Sequence, residues 1–81
     1  MWRITLSQEA THYLEDNLSL IDALIQAIDG LSASDGGIPP EGCTQIEPGI
    51  YWWEVARHIV IYMRMADETP RLRISVIKPI E

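Results

Sequence analysis

Apolar and polar positions along this chain change period three times, and each change predicts a new element. The opening Met1 to Leu6, MWRITL, alternates β-branched or aromatic residues with polar ones, the signature of a half-buried strand. Ser7 then suits a helix N-cap, with Glu9 placed where the helix dipole favours an anion. From there the apolar positions Ala10, Tyr13 and Leu14, then Ile21, Leu24, Ile25 and Ile28, follow three- and four-residue spacing. A single helix over that span would run about 35 Å at 1.5 Å per residue, too long for so small a domain. The segment Glu15 to Ser19 offers a break, and Ser19 with Asp22 makes an S-x-x-D capping pattern, so the spacing predicts a helical hairpin. Its second helix is expected to stop at Gly30 as a left-handed C′ residue, with Leu31 folding back.

Ser32 to Gly42, SASDGGIPPEG, has no periodicity and reads as a connecting loop, of a length that implies function or mobility. Cys43 to Glu47 is a short, weak strand, and Pro48-Gly49 fits a type II turn. Strands follow at Tyr51 to Val55, His58 to Met65 and Arg71 to Lys78, with turns at Ala56-Arg57 and Ala66 to Pro70. The predicted fold is therefore α+β in the order β-α-α-β-β-β, an antiparallel meander with the helical hairpin on one face, forming one domain over residues 1–81.

The strand from His58 to Met65 carries the functional argument, because it has hardly a polar side chain on either face. Alternation divides it into His58, Val60, Tyr62 and Arg64 on one side and Ile59, Ile61, Met63 and Met65 on the other. Eighty-one residues hold only enough helix to cover one face of a sheet, so the second face is a candidate contact surface. If the Tyr62 set is core, the partner-binding residues are Trp52, Ile59, Ile61 and Met63. The reverse assignment stands equally open. Trp52 and Trp53 are adjacent in a strand, so one tryptophan lies away from the core under either assignment.

Composition narrows the function classes. The 47% apolar content excludes a disordered chain, and the apolar runs are far too short to span a bilayer. No basic start leads into an apolar run and small residues, so the expected location is cytoplasmic, in keeping with the single cysteine. Cys43, His12 and His58 match no zinc spacing, and no motif calls for a cofactor. The net charge of −6 is unevenly placed: residues 1–56 hold nine acids against Arg3, whereas residues 57–81 hold five bases against three acids. Such a chain repels phosphate backbones at long range, and only Arg64, Arg71 and Arg73 could form a local basic cluster. His58 is of a residue type that serves as a general base, but it has no carboxylate or nucleophile at a recognisable offset. A Cys43–His58 thiol pair would lack an oxyanion hole, and Glu54 with Arg57 or Arg64 reads as a cross-strand ion pair.

Three features together resemble the RelE/ParE toxin superfamily of bacterial toxin–antitoxin systems: the opening strand with SQEA at a helix start, the distance from Ala10 to Leu31, and Gly49 to Tyr62. The last is similar in length and spacing to that family's G-x-Y-R-x-R-x-G-x-Y-R-x-x-Y run. Trp52, Glu54 and Ile59 stand where the family places bases, Ala56 where it has a turn glycine, and His58 where it has an aromatic; Tyr62 and the late Lys78 match. The resemblance implies the scaffold and an antitoxin partner. In its RNA-cleaving members basic side chains hold the RNA and stabilise developing charge, roles for which Arg64, Arg71, Arg73, Lys78 and His58 are the weak candidates here. The functions implied are thus a protein-binding toxin-family member, whose target resembles the gyrase of some relatives; a ribosome-dependent mRNA endonuclease; or an interaction domain or homodimer that keeps only the fold.

Overall fold

A computed structural model of the chain describes residues 2–34, 36–39, 42–65 and 70–80, and for Leu20 the backbone alone. It is α+β: strand β1 (Arg3–Leu6), helix α1 (Gln8–Asp16), a 3-10 turn (Leu18–Leu20), helix α2 (Asp22–Ser32), then strands β2 (Thr44–Glu47), β3 (Ile50–Val55), β4 (His58–Met65) and β5 (Arg71–Pro79). The strands form one mixed sheet in the order β1-β5-β4-β3-β2.

Ser7 caps α1 as its position predicts, accepting from the Ala10 amide at 3.1 Å. It also ties the helix to the sheet, because its hydroxyl donates to the Ser75 carbonyl at 2.6 Å and its amide donates to the Ile74 carbonyl at 2.9 Å. The expected break falls at Asn17, whose side chain donates back to the Tyr13 carbonyl. Two details of the helices differ from expectation. Ser19 does not cap α2, which starts after Ile21 with no side-chain cap because a 3-10 turn fills residues 18–20. Gly30 does not end it either. The helix continues to Ser32, where the Trp2 amide donates to the Ser32 carbonyl and the Ser32 hydroxyl donates to the Trp2 carbonyl, a tertiary tie that outweighs the local stop signal.

The sheet corrects the antiparallel expectation. β2 to β5 form an antiparallel meander of four strands, the weak strand included, but β1 joins the far side of β5 in parallel, with Arg3 beside Arg71 and Thr5 beside Arg73. A strand that pairs with a partner almost seventy residues away carries no short-range signal for its direction. Pro48-Gly49 makes the expected turn, with Gly49 at φ 80°, as type II requires at its third residue. At the next turn Ala56 and Arg57 adopt φ 52° and 61°, the pair of left-handed residues that defines a type I′ hairpin. The expected turn from Ala66 to Pro70 lies, apart from Pro70, outside the described residues.

The core lies between the helices and one face of the sheet. Trp2, Ala10, Ile21, Leu24, Ile28 and Leu31 meet Trp53, Val60, Tyr62, Leu72, Ile74 and Ile77 there. A bulge in β5 keeps its last turn of alternation in phase with β4: Ile61 pairs with Val76 while Tyr62 pairs with Ile74, leaving Ser75 as the extra residue. Without it, Ile77 would point away from the core. The long loop is anchored here as well. Gly37, at φ 68°, sits so close that an added Cβ would lie 3.1 Å from both Leu72 and Trp2. Glycine is favoured at that position on both conformational and steric grounds.

Candidate functional site

Register and burial settle which side of β4 is core. His58, Val60 and Tyr62 are buried beneath the helices, whereas Ile59 and Ile61 are half-buried and Met63 is 36% exposed on the opposite face. Trp53 turns inward and is 1% exposed; Trp52 turns outward. The proposed contact residues Trp52, Ile59, Ile61 and Met63 therefore share one sheet face that neither helix covers.

Pairing arranges that face in rows across the strands. Thr44, Trp52, Ile61 and Val76 form one row, apolar through its centre. On one side of it lies the row Glu54, Ile59, Lys78; on the other lies Ile50, Met63, Arg73, continued by Thr5 at one edge and by Glu47 opposite Ile50 at the other. A last row holds Met65, Arg71 and Arg3. Trp52 is braced by its neighbours: its indole donates to Glu54 Oε1 at 3.3 Å, and Lys78 Nζ stands 5.8 Å from its ring centre. An acid and a base thus both contact the tryptophan in the central row of the face.

The basic candidates do not form the cluster that sequence spacing suggested. Arg64 belongs to the helix side, where its guanidinium lies 5.1 Å over the Trp2 ring and its amide donates to the Gly49 carbonyl. Arg71 and Arg73 lie on the open face, joined by Arg3, which parallel pairing alone brings beside them. No local signal marks Arg3 as a neighbour of a residue 68 positions later. Glu54 and Arg64, a candidate ion pair, face opposite sides of the sheet.

His58 is part of the packing. Its Nδ1 donates to the Ala56 carbonyl at 2.7 Å, since a carbonyl only accepts, and in the neutral ring Nε2 then accepts from the Tyr13 hydroxyl at 2.7 Å. Both nitrogens are engaged, so the ring braces the left-handed turn at Ala56-Arg57 against α1. It does not meet Cys43, whose thiol instead approaches the Tyr62 hydroxyl at 3.6 Å. That hydroxyl donates to the Gly37 carbonyl at 2.9 Å, which leaves its oxygen to accept from the thiol. Burial, reinforced by the Cys43 contact, raises the Tyr62 phenol far above its ordinary value. Tyr51 stacks on the same ring at 5.4 Å and Trp53 meets it edge-on at 6.3 Å. A phenol so enclosed anchors the loop and is no proton donor for chemistry at the surface.

Beside the open face, a shallow cleft of about 480 Å³ is lined by Gly42, Cys43, Thr44, Trp52 and Glu54. Among the described residues no three His, Cys, Asp or Glu side chains gather closely enough to hold a metal ion. No helix among them is long and apolar enough to cross a membrane. Compared with protein-family models, curated proteins and solved structures, the chain finds no match.

Proposed function

We propose that this protein is a RelE/ParE-like toxin-family member that acts by binding proteins in the bacterial cytoplasm, with an antitoxin segment as the partner that covers its open sheet face. The observation that carries this reading is the apolar row Trp52, Ile61, Val76 with Ile59 and Met63 on either side, on a face that neither α1 nor α2 covers. A sheet face of this kind takes an extended or helical segment, with side chains seated between the rows and affinity from buried apolar area. A gyrase-type target is compatible with this reading, since a gyrase poison needs a contact surface and no nuclease site.

The endonuclease reading draws its support from Arg3, Arg71 and Arg73, which share the basic edge of the same face. Two observations weigh against it. Arg64 is spent on Trp2 on the other side of the sheet, and His58 is enclosed with both nitrogens bonded, so neither a general base nor the full cationic set faces an RNA. Induced in a bacterial host, the protein is expected to cause weak growth arrest at most, with translating mRNA intact. Cleavage within ribosome-bound codons, lost in Arg71→Ala and Arg73→Ala variants, would decide for the nuclease. A small neighbouring reading frame with a DNA-binding start and an amphipathic end is expected to co-purify as the partner, and not with an Ile61→Lys variant. Absence of any such frame would leave a binding domain without the toxin role.

A further inference from the structure

We infer that the open sheet face is also the interface of a symmetric dimer, in which β4 of one copy lies on β4 of a second copy about a twofold axis running nearly along the strand. This stands on the charge pattern of the face itself and is independent of the antitoxin reading.

In one row Glu54 on β3, Ile59 on β4 and Lys78 on β5 follow as acid, apolar, base. Two rows away Glu47 and Ile50, Met63 and Arg73 follow in the same sense, again with the acid on the β2–β3 side and the base on the β5 side. Between them runs the apolar row of Trp52, Ile61 and Val76. Across these two rows the left half of the face is the electrostatic complement of the right half, with Ile59, Ile61 and Met63 of β4 as the apolar seam between them, while the last row adds Arg71 and Arg3 on the β5 side alone.

A twofold axis along that seam exchanges left and right while keeping each row at its own level. Glu54 of one copy then faces Lys78 of the other, twice over, and Arg73 faces the Glu47–Ile50 end. Ile59, Ile61 and Met63 meet their own counterparts, and Trp52 covers Val76. The other in-plane twofold, running across the strands, keeps left over left, so that Lys78 approaches Arg71 and Arg73, and Glu54 approaches Glu47. Like charges placed opposite one another are strongly disfavoured, which selects the first axis. Sheets that pack face to face keep their strands within about 30° of each other, so a small tilt of the axis from β4 accommodates the twist. The acids on the helices, Glu9, Glu15, Asp16, Asp22 and Asp29, are on the layer turned away from this interface.

Size sets the strength. Five strands spaced about 4.8 Å apart and a β4 rising about 3.3 Å per residue give a footprint of roughly 500 Å² per copy. That is the low end for a specific interface, and the dimer is expected to be weak and in rapid exchange. Such a dimer shields the apolar row when no partner is present and yields it to a tighter one.

Sedimentation of the full chain from micromolar to millimolar concentration tests this. The wild type is expected to pass from monomer to dimer across that range. Glu54→Lys and Lys78→Glu each place like charges opposite one another on both sides of the axis and are expected to weaken dimerisation about tenfold or more. Both positions are exposed, and unchanged circular dichroism confirms that the fold is kept. Mixed in equal amounts, the two variants form a heterodimer in which every pair is again opposite in charge, and it is expected to recover nearly wild-type affinity. A chain that stays monomeric at millimolar concentration overturns the proposal. So does a dimer that ignores the single substitutions, or a mixture that associates no better than either variant alone.

Discussion

The two faces of β4 are built from different residues, and the more uniformly apolar of the two is the one left open. On the helix side Val60 and Tyr62 are fully buried, and His58 is bonded at both ring nitrogens. On the open side Ile59, Ile61 and Met63, no less apolar, remain partly in contact with solvent. Hydrophobicity alone therefore did not decide which side became core. Polar detail did: the Tyr62 hydroxyl finds the Gly37 carbonyl and the Cys43 thiol, and His58 finds Tyr13 and Ala56, partners that exist only beneath the helices. An amphipathic aromatic can be buried at low cost where its polar tip is satisfied, and purely aliphatic residues can be left for a partner to cover.

The comparison is broken most severely by a charge on the buried side. Val60→Lys leaves an unpaired ammonium in the core, at a cost of several kcal/mol against a total stability of about 5–15 kcal/mol. Its circular dichroism is expected to be that of an unfolded chain.

Next in size is Gly37→Ala. The added Cβ meets Leu72 and Trp2 at 3.1 Å with the backbone already at φ 68°, and about 1–3 kcal/mol of destabilisation is expected in urea titration. The same loop would then release the Tyr62 hydroxyl, tying its cost to the buried face.

Tyr62→Phe sharpens the polar half of the argument. Removing the hydroxyl leaves the Gly37 carbonyl without its donor, for a loss of about 1–2 kcal/mol at neutral pH. The phenol is also raised above its ordinary 10.0 in the folded chain, so the unfolded chain loses its proton first as pH rises. The stability that Tyr62 contributes is thus fully present below pH 10 and falls as pH climbs above it. In the Phe variant that share of the alkaline decline is expected to disappear.

The smallest of these changes is a gain. Arg57 holds φ 61° at the turn joining β3 to β4, where a non-glycine residue pays about 1 kcal/mol, so Arg57→Gly is expected to raise stability by roughly 0.5–1 kcal/mol in the same titration. Both faces of β4 depend on this turn, and neither should change its exposure.

Much of the architecture was legible because it rests on local signals. Ser7 reads as a cap, Asn17 lies in a stretch marked as a break, and Pro48-Gly49 is a turn by composition. The adjacency of Trp52 and Trp53 implied that one of them faces outward. What was illegible depends on distant meetings. Parallel pairing of β1 with β5 adds Arg3 to the open face, and the bulge at Ser75 sets which of Ile74 to Lys78 point outward. Sequence spacing grouped Arg64 with Arg71 and Arg73, but the register pairs Arg64 with Leu72 and so puts it on the face opposite both. The rows that pair Glu54 with Lys78 about Ile59 likewise need the register, which only the folded sheet supplies.

The central claim is that the Ile61 face is a surface for partners and contributes little to the core of the monomer. Circular dichroism and sedimentation of an Ile61→Lys variant test it most directly. A native spectrum with a cooperative unfolding transition close to wild type, together with loss of self-association, is the result expected; an unfolded spectrum would place Ile61 in the core and contradict it.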